Sequence, residues 1–295
     1  MELRQLETFR TAAKTLSFTR TAAQLSYAQS SVSAQMQALE EELGVTLFDR
    51  LGRRIHLTDK GQELLLYAER ILDLADEAKS MVASKDEPSG SVVISAPETL
   101  CVYRLPAVLQ KMRERYPQVQ LTLQPSLAQA WRTHLNTGEA DAAITLNAPL
   151  QLNGYRVEVL RAEPIVIIAP PTHRLVGKSP ITSADLEPEL LMLTEPNCSY
   201  RNELERTLRI DGVEPTAVLD FTSVEAIKQL VMGGMGLAQL PLVSVATELE
   251  QGRLALIDWQ ADEAQMFVQL VVHRDKWLSP ALRAFIEVAE ELLQA

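Results

Sequence analysis

The chain has 295 residues, which is enough for two or three domains. Hydrophobic residues make up 46% of it and charged residues 23%, as in folded globular proteins, so wholesale disorder is excluded. No apolar run approaches the ~18–20 residues of a membrane span. The N-terminus is charged where a signal peptide would be apolar, so we expect a cytoplasmic protein with no membrane partner.

The acidic charge is unevenly distributed along the chain. The formal net charge is −11, but residues 1–60 hold eight Lys or Arg against seven Asp or Glu. A strongly acidic chain is, as a whole, a poor nucleic-acid binder. Any contact with nucleic acid is therefore expected in the first 60 residues.

Cysteine and histidine are too sparse for a disulfide framework or a metal cluster. Neither of the two cysteines, Cys101 and Cys198, belongs to a C-x-x-C pair. The four histidines are scattered, which excludes a compact zinc site. We expect no metal and no cofactor.

The first segment has the pattern of a helix-turn-helix. Apolar residues recur at steps of three and four in a first helix that ends near Leu16, and a short second helix follows. A third helix extends to Leu43, and Gly44 ends it. Two short helices joined by a tight turn are typical of DNA-binding proteins.

The third predicted helix has two different faces. Val32, Met36 and Leu39 form its apolar stripe, whereas Ser30, Ser33 and Gln37 lie on the opposite side. Uncharged hydroxyl and amide side chains can hydrogen-bond base edges in a major groove. The alternative is an ordinary solvated helix face.

A β-hairpin is predicted after this helix, over residues 47–58. It carries Arg50, Arg53 and Arg54 near a central glycine, which suits contacts to phosphates or to a minor groove. A solvated charged turn is the alternative. The first domain is therefore predicted over residues 1–58, as a mainly α-helical winged helix-turn-helix.

A long helix is predicted from a cap at Thr58 or Asp59 to about Ser84, within a linker segment of residues 59–87. Its heptad seam contains Leu64, Ala68, Ile71, Ala75, Ala78 and Val82. We predict that this seam joins two copies of the chain, since DNA readers of this size usually need two half-sites. The alternative is a helix packed on its own domain.

The remaining residues, 88–295, alternate between strands and helices, which predicts an α/β fold with parallel sheets. The predicted strands are 91–96, 119–124, 140–145, 165–169, 190–193, 217–221, 236–240, 254–257 and 266–273. The predicted helices are 103–116, 128–136, 201–210, 224–232 and 280–293. This length favours two lobes with a cleft between them, where a ligand binds beyond the carboxyl ends of strands.

Two strand-to-helix turns are candidate ligand sites. One contains Thr99 and Cys101, and the other contains Cys198, Ser199 and Arg201. Helix N-termini bind anions, and an arginine suits a carboxylate; plain helix capping is the alternative. The glycines at 233–236 follow a helix and precede a strand, the reverse of a dinucleotide loop, so we expect them to form a turn at the cleft.

Several motifs resemble the LysR-type transcriptional regulators. They comprise Leu16 to Leu25 (LSFTRTAAQL), Gln29 to Ser33 (QSSVS), Leu39 to Gly44 (LEEELG), Leu47 to Arg50 (LFDR) and Leu57 to Gly61 (LTDKG). The match over residues 1–65 is specific. A looser match over the rest includes Pro117, the Gly138 to Asp141 turn, and Gly234 to Leu237 with Pro241.

The resemblance implies a winged helix-turn-helix, a linker helix and a two-lobed α/β effector domain that resembles type 2 periplasmic binding proteins. It implies a homotetramer, built as a dimer of dimers, on promoter DNA. By resemblance, Gln29, Ser30 and Ser33 contact DNA, flanked by Arg50 and Arg53. The sequence departs from many relatives at Ala28, where they have a hydroxyl.

The resemblance also places an effector cleft between lobe I (residues 91–161 and 266–295) and lobe II (residues 162–265). The chain should cross between them near residues 161–164 and 262–266. With the two turns described above, the expected cleft residues are Thr99, Leu100, Cys101, Thr145, Asn147, Cys198, Ser199, Tyr200, Arg201, Thr222 and Ser223.

These inferences favour a non-enzymatic, sequence-specific DNA-binding transcriptional regulator controlled by a small effector, which we expect to be a carboxylate. One alternative is a thiol redox sensor, since Cys198 resembles the reactive cysteine of the peroxide-sensing members. Their resolving cysteine, nine residues later, is Thr207 here. The other alternative is an enzyme or solute-binding protein, for which neither a catalytic constellation nor a signal peptide is present.

Overall fold

The computed structural model describes residues 1–51, 54–82, 87–259 and 265–294. The chain divides into two compact units, Met1–Asp86 and Glu87–Ala295. Within the described residues, no helix combines the length and the apolarity needed to cross a membrane.

The N-terminal unit has the predicted winged helix-turn-helix architecture. It consists of α1 (Leu3–Thr15), α2 (Phe18–Leu25), α3 (Gln29–Leu43), the antiparallel hairpin β1 (Phe48–Leu51) and β2 (Arg54–Leu57), and α4 (Asp59–Val82). Ser17 caps α2 by accepting a hydrogen bond from the backbone N–H of Arg20. Gly44 ends α3 in the left-handed conformation, as its position predicts. Thr58 caps α4, because its Oγ1 accepts from the N–H of Gly61 at 3.0 Å.

An apolar core holds the three helices against the hairpin. Leu6, Met36 and Leu39 are essentially inaccessible to solvent. The ring of Phe48, on β1, packs edge-on against Phe9 and Phe18, with both centroid distances at 5.5 Å. The apolar stripe of α3 is therefore buried, which leaves its opposite face outward.

The first half of the predicted inter-chain seam on α4 packs within its own unit instead. Ala68 is fully buried, and Leu64 and Ile71 pack against the same core. This face is covered because α1 lies along α4. Two other large apolar side chains, Tyr67 and Leu74, are 60% and 59% exposed one heptad apart.

The C-terminal unit contains two five-stranded sheets. The first has the order β4-β3-β5-β12-β6 and the second β11-β7-β10-β8-β9. The strands of the first are β3 (Gly90–Ala96), β4 (Val119–Pro125), β5 (Ala142–Asn147), β6 (Tyr155–Ala162) and β12 (Phe267–His273). Those of the second are β7 (Ile165–Ala169), β8 (Leu190–Thr194), β9 (Ala217–Phe221), β10 (Leu237–Pro241) and β11 (Ala255–Ile257).

The sheets are mixed, so the prediction of purely parallel sheets is wrong. Strands β3, β4 and β5 are parallel, but β12 is antiparallel to both β5 and β6. In the second sheet β7 is antiparallel to β10 and β11. The reversal arises because β12 joins the first sheet only after the chain has passed through the second. The alternating strand β6 was absent from the prediction.

Eight helices accompany the sheets in the described residues: α5 (Glu98–Tyr103), α6 (Leu105–Arg115), α7 (Ala130–Thr137), α8 (Ser183–Leu186), α9 (Ser199–Ile210), α10 (Val224–Met232), α11 (Leu242–Glu250) and α12 (Pro280–Leu293). The predicted helix 103–116 corresponds to α6, and Arg104 separates it from α5, which shares only Tyr103 with the predicted range. Helices α5, α8 and α11 were not among the predicted helices. The residues of α11 are apolar and β-branched where it follows β10 directly, so its sequence resembles a continued strand.

The chain passes from the first sheet to the second between β6 and β7, at Glu163 and Pro164. The second predicted crossing, near 262–266, falls largely on residues 260–264, which lie outside the described residues. The N–H of Glu163 donates to the carbonyl of Met266 at 2.9 Å. The two connections are therefore hydrogen-bonded to each other beside the first crossing.

The glycine-rich turn before β10 lies away from the cleft, contrary to prediction. Gly234 has a φ of +83°, and a Cβ on Gly236 would stand 2.2 Å from the carbonyl oxygen of Leu190. Leu190 begins β8, which runs parallel to β10. The turn is thus at the amino ends of these strands.

Candidate functional site

A cavity lies between the two sheets, beyond the carboxyl ends of their strands. The space accessible to a water-sized molecule is about 50 Å³, within about 650 Å³ of non-atom space that includes the open mouth. Its walls come from the segments that follow β3, β4, β8 and β9 and from the end of β5: Pro97, Glu98, Thr99, Ser126, Leu127, Ala128, Gln129, Trp131, Thr145, Leu146, Asn147, Thr194, Glu195, Asn197, Cys198, Ser199, Tyr200, Thr222 and Val224. This is the position at which α/β sheets generally bind ligands.

Most of the predicted effector residues line this cavity. They are Thr99, Thr145, Asn147, Cys198, Ser199, Tyr200 and Thr222. Three others do not. Leu100 is fully buried in the apolar core, Cys101 packs against that core, and Ser223 caps α10 through the N–H of Ala226.

Arg201 is also absent from the cavity wall, which corrects its expected role as the ligand's cationic partner. Its Nε donates to Glu205 and its Nη1 to Asp220, both at 2.7 Å. The same nitrogen donates to the carbonyl of Thr194. The guanidinium is nearly buried and is paired with two carboxylates, so its charge is already compensated within the protein.

The charged groups that do line the cavity are carboxylates. Glu98 accepts a hydrogen bond from the N–H of Val224, and Glu195 accepts one from the N–H of Ala128, each at 3.4 Å. Among the described residues, no lysine or arginine contributes to the wall. Sequence reasoning missed both glutamates, although Glu195 directly follows a buried strand and could have been found from that position.

Two further wall residues carry buried polar atoms that lack a partner. Ser126 is 5% exposed and Trp131 is 2% exposed. Within the described part of the chain, neither the Oγ of Ser126 nor the Nε1 of Trp131 has a hydrogen-bond partner. Buried polar groups are nearly always hydrogen-bonded, so these two atoms are candidates for hydrogen bonds to a polar ligand.

Both cysteines are shielded rather than activated. Burial raises the pKa of the Cys198 thiol and outweighs the hydrogen bonds that would lower it. Burial and the nearby Glu98 raise the pKa of the Cys101 thiol. The net result for each thiol is a pKa above its ordinary value.

The outward face of α3 carries the predicted DNA-contacting side chains. Gln29, Ser30 and Gln37 are exposed, and Ser33 is half-buried. The amide of Gln29 donates to Ser33 Oγ at 3.0 Å, and that of Gln37 donates to Glu41 at 2.9 Å. Ala28, at the N-cap, provides no side-chain cap, so the departure noted in the sequence removes a hydrogen bond at this helix end.

The structure describes the backbone of the two wing strands but not residues 52 and 53 between them, and it does not describe the side chains of the wing arginines. Arg50 lies in β1 and Arg54 in β2, and Leu51 pairs with Arg54 in the hairpin register. Arg53 lies outside the described residues. The roles of these three arginines in DNA binding remain predictions.

Comparison with known proteins agrees with both halves of this structure. Residues 3–62 match the family described as bacterial regulatory helix-turn-helix protein, lysR family, and residues 85–294 match the LysR substrate binding domain. The HTH-type transcriptional regulator YwqM of Bacillus subtilis is 40% identical over 99% of both chains. The RuBisCO operon transcriptional regulator of Allochromatium vinosum is 32% identical over 97% of this chain and 95% of its own.

Among solved structures, a full-length OxyR variant from Pseudomonas aeruginosa superposes with a TM-score of 0.79 at 25% identity. The match covers all of this chain and 95% of that one. The two family matches together span both units of the chain. The protein therefore belongs to the LysR family of helix-turn-helix transcriptional regulators.

Proposed function

We propose that this LysR-family regulator binds specific promoter DNA through α3 and the wing, and that a small molecule in the inter-sheet cavity controls that binding. The observation that carries the proposal is the pairing, in one chain, of an outward and uncharged recognition face with a cavity whose wall has unpaired polar atoms. Its relatives are named as transcriptional regulators, which favours regulation over enzymatic activity.

The chemistry of α3 supports base reading. Gln37 and Gln29 offer amide groups that can pair with adenine edges, and the hydroxyls of Ser30 and Ser33 can bond to several bases. Arg50, Arg53 and Arg54 follow on the hairpin, where cations bind phosphates and position the helix in the groove. We assign sequence discrimination to α3 and general affinity to the arginines.

Contacts between the two lobes support control by a ligand. Ser199, which begins α9 in lobe II, donates its hydroxyl to the carbonyl of Leu146 in lobe I. Lys228, on α10, donates to the Tyr103 hydroxyl of α5 at 3.2 Å. A molecule that enters between these elements changes the balance between lobe arrangements by its differential affinity for them.

The exposed apolar pair on α4 supports self-association. Tyr67 and Leu74 stand one heptad apart on one side of a 24-residue helix. Covering this pair with the same pair of a second copy would bury both side chains. We propose a dimer through this face as the unit that binds two half-sites, with the homotetramer as its assembly into pairs of dimers.

The proposal is tested by gel mobility shift of the full-length protein on DNA upstream of its own gene. A protein-free extract of small metabolites from the organism should shift the affinity of wild type. Leu127→Trp, at an exposed position on the cavity wall, should keep DNA binding but lose the response. Val102→Trp, equally exposed but away from the wall, should respond as wild type.

Two results would contradict the proposal. One is the absence of any preference for this DNA over unrelated DNA. The other is a response to the extract that Leu127→Trp leaves intact, since the ligand would then bind elsewhere.

A further inference from the structure

The cavity wall combines acceptors for a cation with donors for an anion. Glu98 and Glu195 are half-buried, and each has a single long hydrogen bond from a backbone N–H. Their charges have no lysine or arginine beside them among the described wall residues. Two carboxylates in a partly desolvated cleft favour a ligand that carries a positive charge.

The donors form an independent observation. Trp131 Nε1 is buried without a partner, and an indole N–H can only donate, so it needs an acceptor from the ligand. Ser126 Oγ is equally buried and unpartnered, and it can donate to the same group. A purely cationic ligand offers no acceptor to Trp131 Nε1, although it could donate to Ser126 Oγ.

The start of α9 adds further donors. This helix has 12 residues and begins after Cys198, its N-cap, whose thiol interacts with the backbone N–H of Arg201. Cys198, Ser199 and Tyr200 line the cavity, so the N-terminal end of α9 lies at its wall. The backbone N–H groups at a helix N-terminus attract a carboxylate.

We propose that the effector is a free α-amino acid, whose ammonium group binds Glu195 and Glu98 and whose carboxylate binds Trp131, Ser126 and the first turn of α9. The inference rests on the proposed function, because it names the ligand class of that cavity. It replaces the simple carboxylate expected from the sequence, since Arg201 is already paired with Glu205 and Asp220. A simple carboxylate would face two glutamates without a compensating cation.

The test is isothermal titration calorimetry of the full-length protein against each of the twenty proteinogenic L-amino acids. The tightest binder is then compared with its decarboxylated amine and with the carboxylic acid that lacks its amino group. We expect both analogues to bind at least tenfold more weakly. Glu195→Gln should weaken the amino acid at least tenfold and Trp131→Phe at least threefold, whereas Glu114→Gln, on the exposed side of α6, should change nothing.

Three outcomes would overturn the inference: no binding by any of the twenty, equal or tighter binding of the carboxylic acid, or unchanged affinity in Glu195→Gln. Circular dichroism of each variant separates lost binding from lost folding. If a different metabolite shifts DNA affinity and Leu127→Trp abolishes that shift, the proposed function stands while this inference fails. If an amino acid binds as described but DNA affinity is unaffected, the inference stands and the proposed control of DNA binding fails.

Discussion

The guanidinium of Arg104 donates two hydrogen bonds to the carboxylate of Glu163, at the point where the chain leaves the first sheet for the second. The Nε–Oε2 distance is 2.9 Å and the Nη2–Oε1 distance is 3.0 Å. Glu163 is 1% exposed, and its N–H is bonded to Met266 on the returning segment. The pair thus fixes the junction about which the lobes of the effector domain are arranged.

Arg104→Ala should destabilise the C-terminal unit by about 3 kcal/mol, because it leaves Glu163 buried without its cation. The three tryptophans, Trp131, Trp259 and Trp277, all lie in this unit, so their fluorescence during urea denaturation reports on it alone. Arg115→Ala is the matched control, since Arg115 pairs with Glu291 at the surface and its loss should leave the free energy of unfolding almost unchanged. Equal effects of the two substitutions would refute a structural role for the buried pair.

Gly61→Ala should destabilise the N-terminal unit by about 1–3 kcal/mol through overpacking. A Cβ at this position would stand 2.3 Å from the carbonyl oxygen of Leu47, which itself accepts from the N–H of Thr58 at 3.0 Å. Thermal melting followed by circular dichroism measures the loss. Gln62→Ala, at the exposed neighbouring position, should melt as wild type, and a stable Gly61→Ala protein would show that the helix start can shift.

Cys198 should react slowly with iodoacetamide at pH 7. An ordinary thiol has a pKa of about 8.5, so ~3% of it is thiolate at this pH, and burial raises the pKa of Cys198 and lowers that fraction. The labelling rate should rise with pH and level off only above the raised pKa, because the thiolate is the reacting form, and Cys198→Ser assigns the signal. Fast labelling at neutral pH, with peroxide-dependent DNA binding that Cys198→Ser abolishes, would instead support the redox alternative.

Leu74→Glu should dissociate the dimer, because it places a charge in the apolar face formed with Tyr67. Sedimentation velocity should show a smaller species, and tight operator binding should be lost with it. Gln62→Glu adds the same charge to an exposed position on the same helix and should leave the assembly intact. A fully oligomeric Leu74→Glu protein would locate the interface elsewhere.

The helices and most strands could be predicted because the spacing of apolar residues within each segment is enough to identify it. Ala68 is a residue for which periodicity predicts burial but not the element that covers it. Its heptad position predicts burial, and it is buried, but only the tertiary structure reveals that α1 rather than a second chain covers it. The direction of β12 likewise depends on the route of the chain through the second sheet.

The sequence predicted the position of the cavity but not the charge of its wall. Strand ends and the family resemblance located seven of the nineteen described wall residues, since carboxyl ends of strands converge on one edge of a sheet. The role of Arg201 could not be read from its own position, because Asp220 reaches it from the following strand. The sequence did contain one indication of an internal partner, because Glu205 lies four residues after Arg201 on the same helix.

The most direct test of DNA reading by α3 is the ratio of affinities for operator and unrelated DNA, measured by fluorescence anisotropy at one fixed salt concentration. Full-length wild type, Gln37→Ala and the control Gln62→Ala should all bind with affinities that fall steeply as salt increases, because phosphate contacts release counterions. Gln37→Ala should lower the ratio by an amount that corresponds to about 1–3 kcal/mol of binding free energy. Gln62→Ala should leave the ratio unchanged. An unchanged ratio in Gln37→Ala, and in Gln29→Ala and Ser33→Ala measured beside it, would contradict the assignment of α3 as the element that reads the sequence.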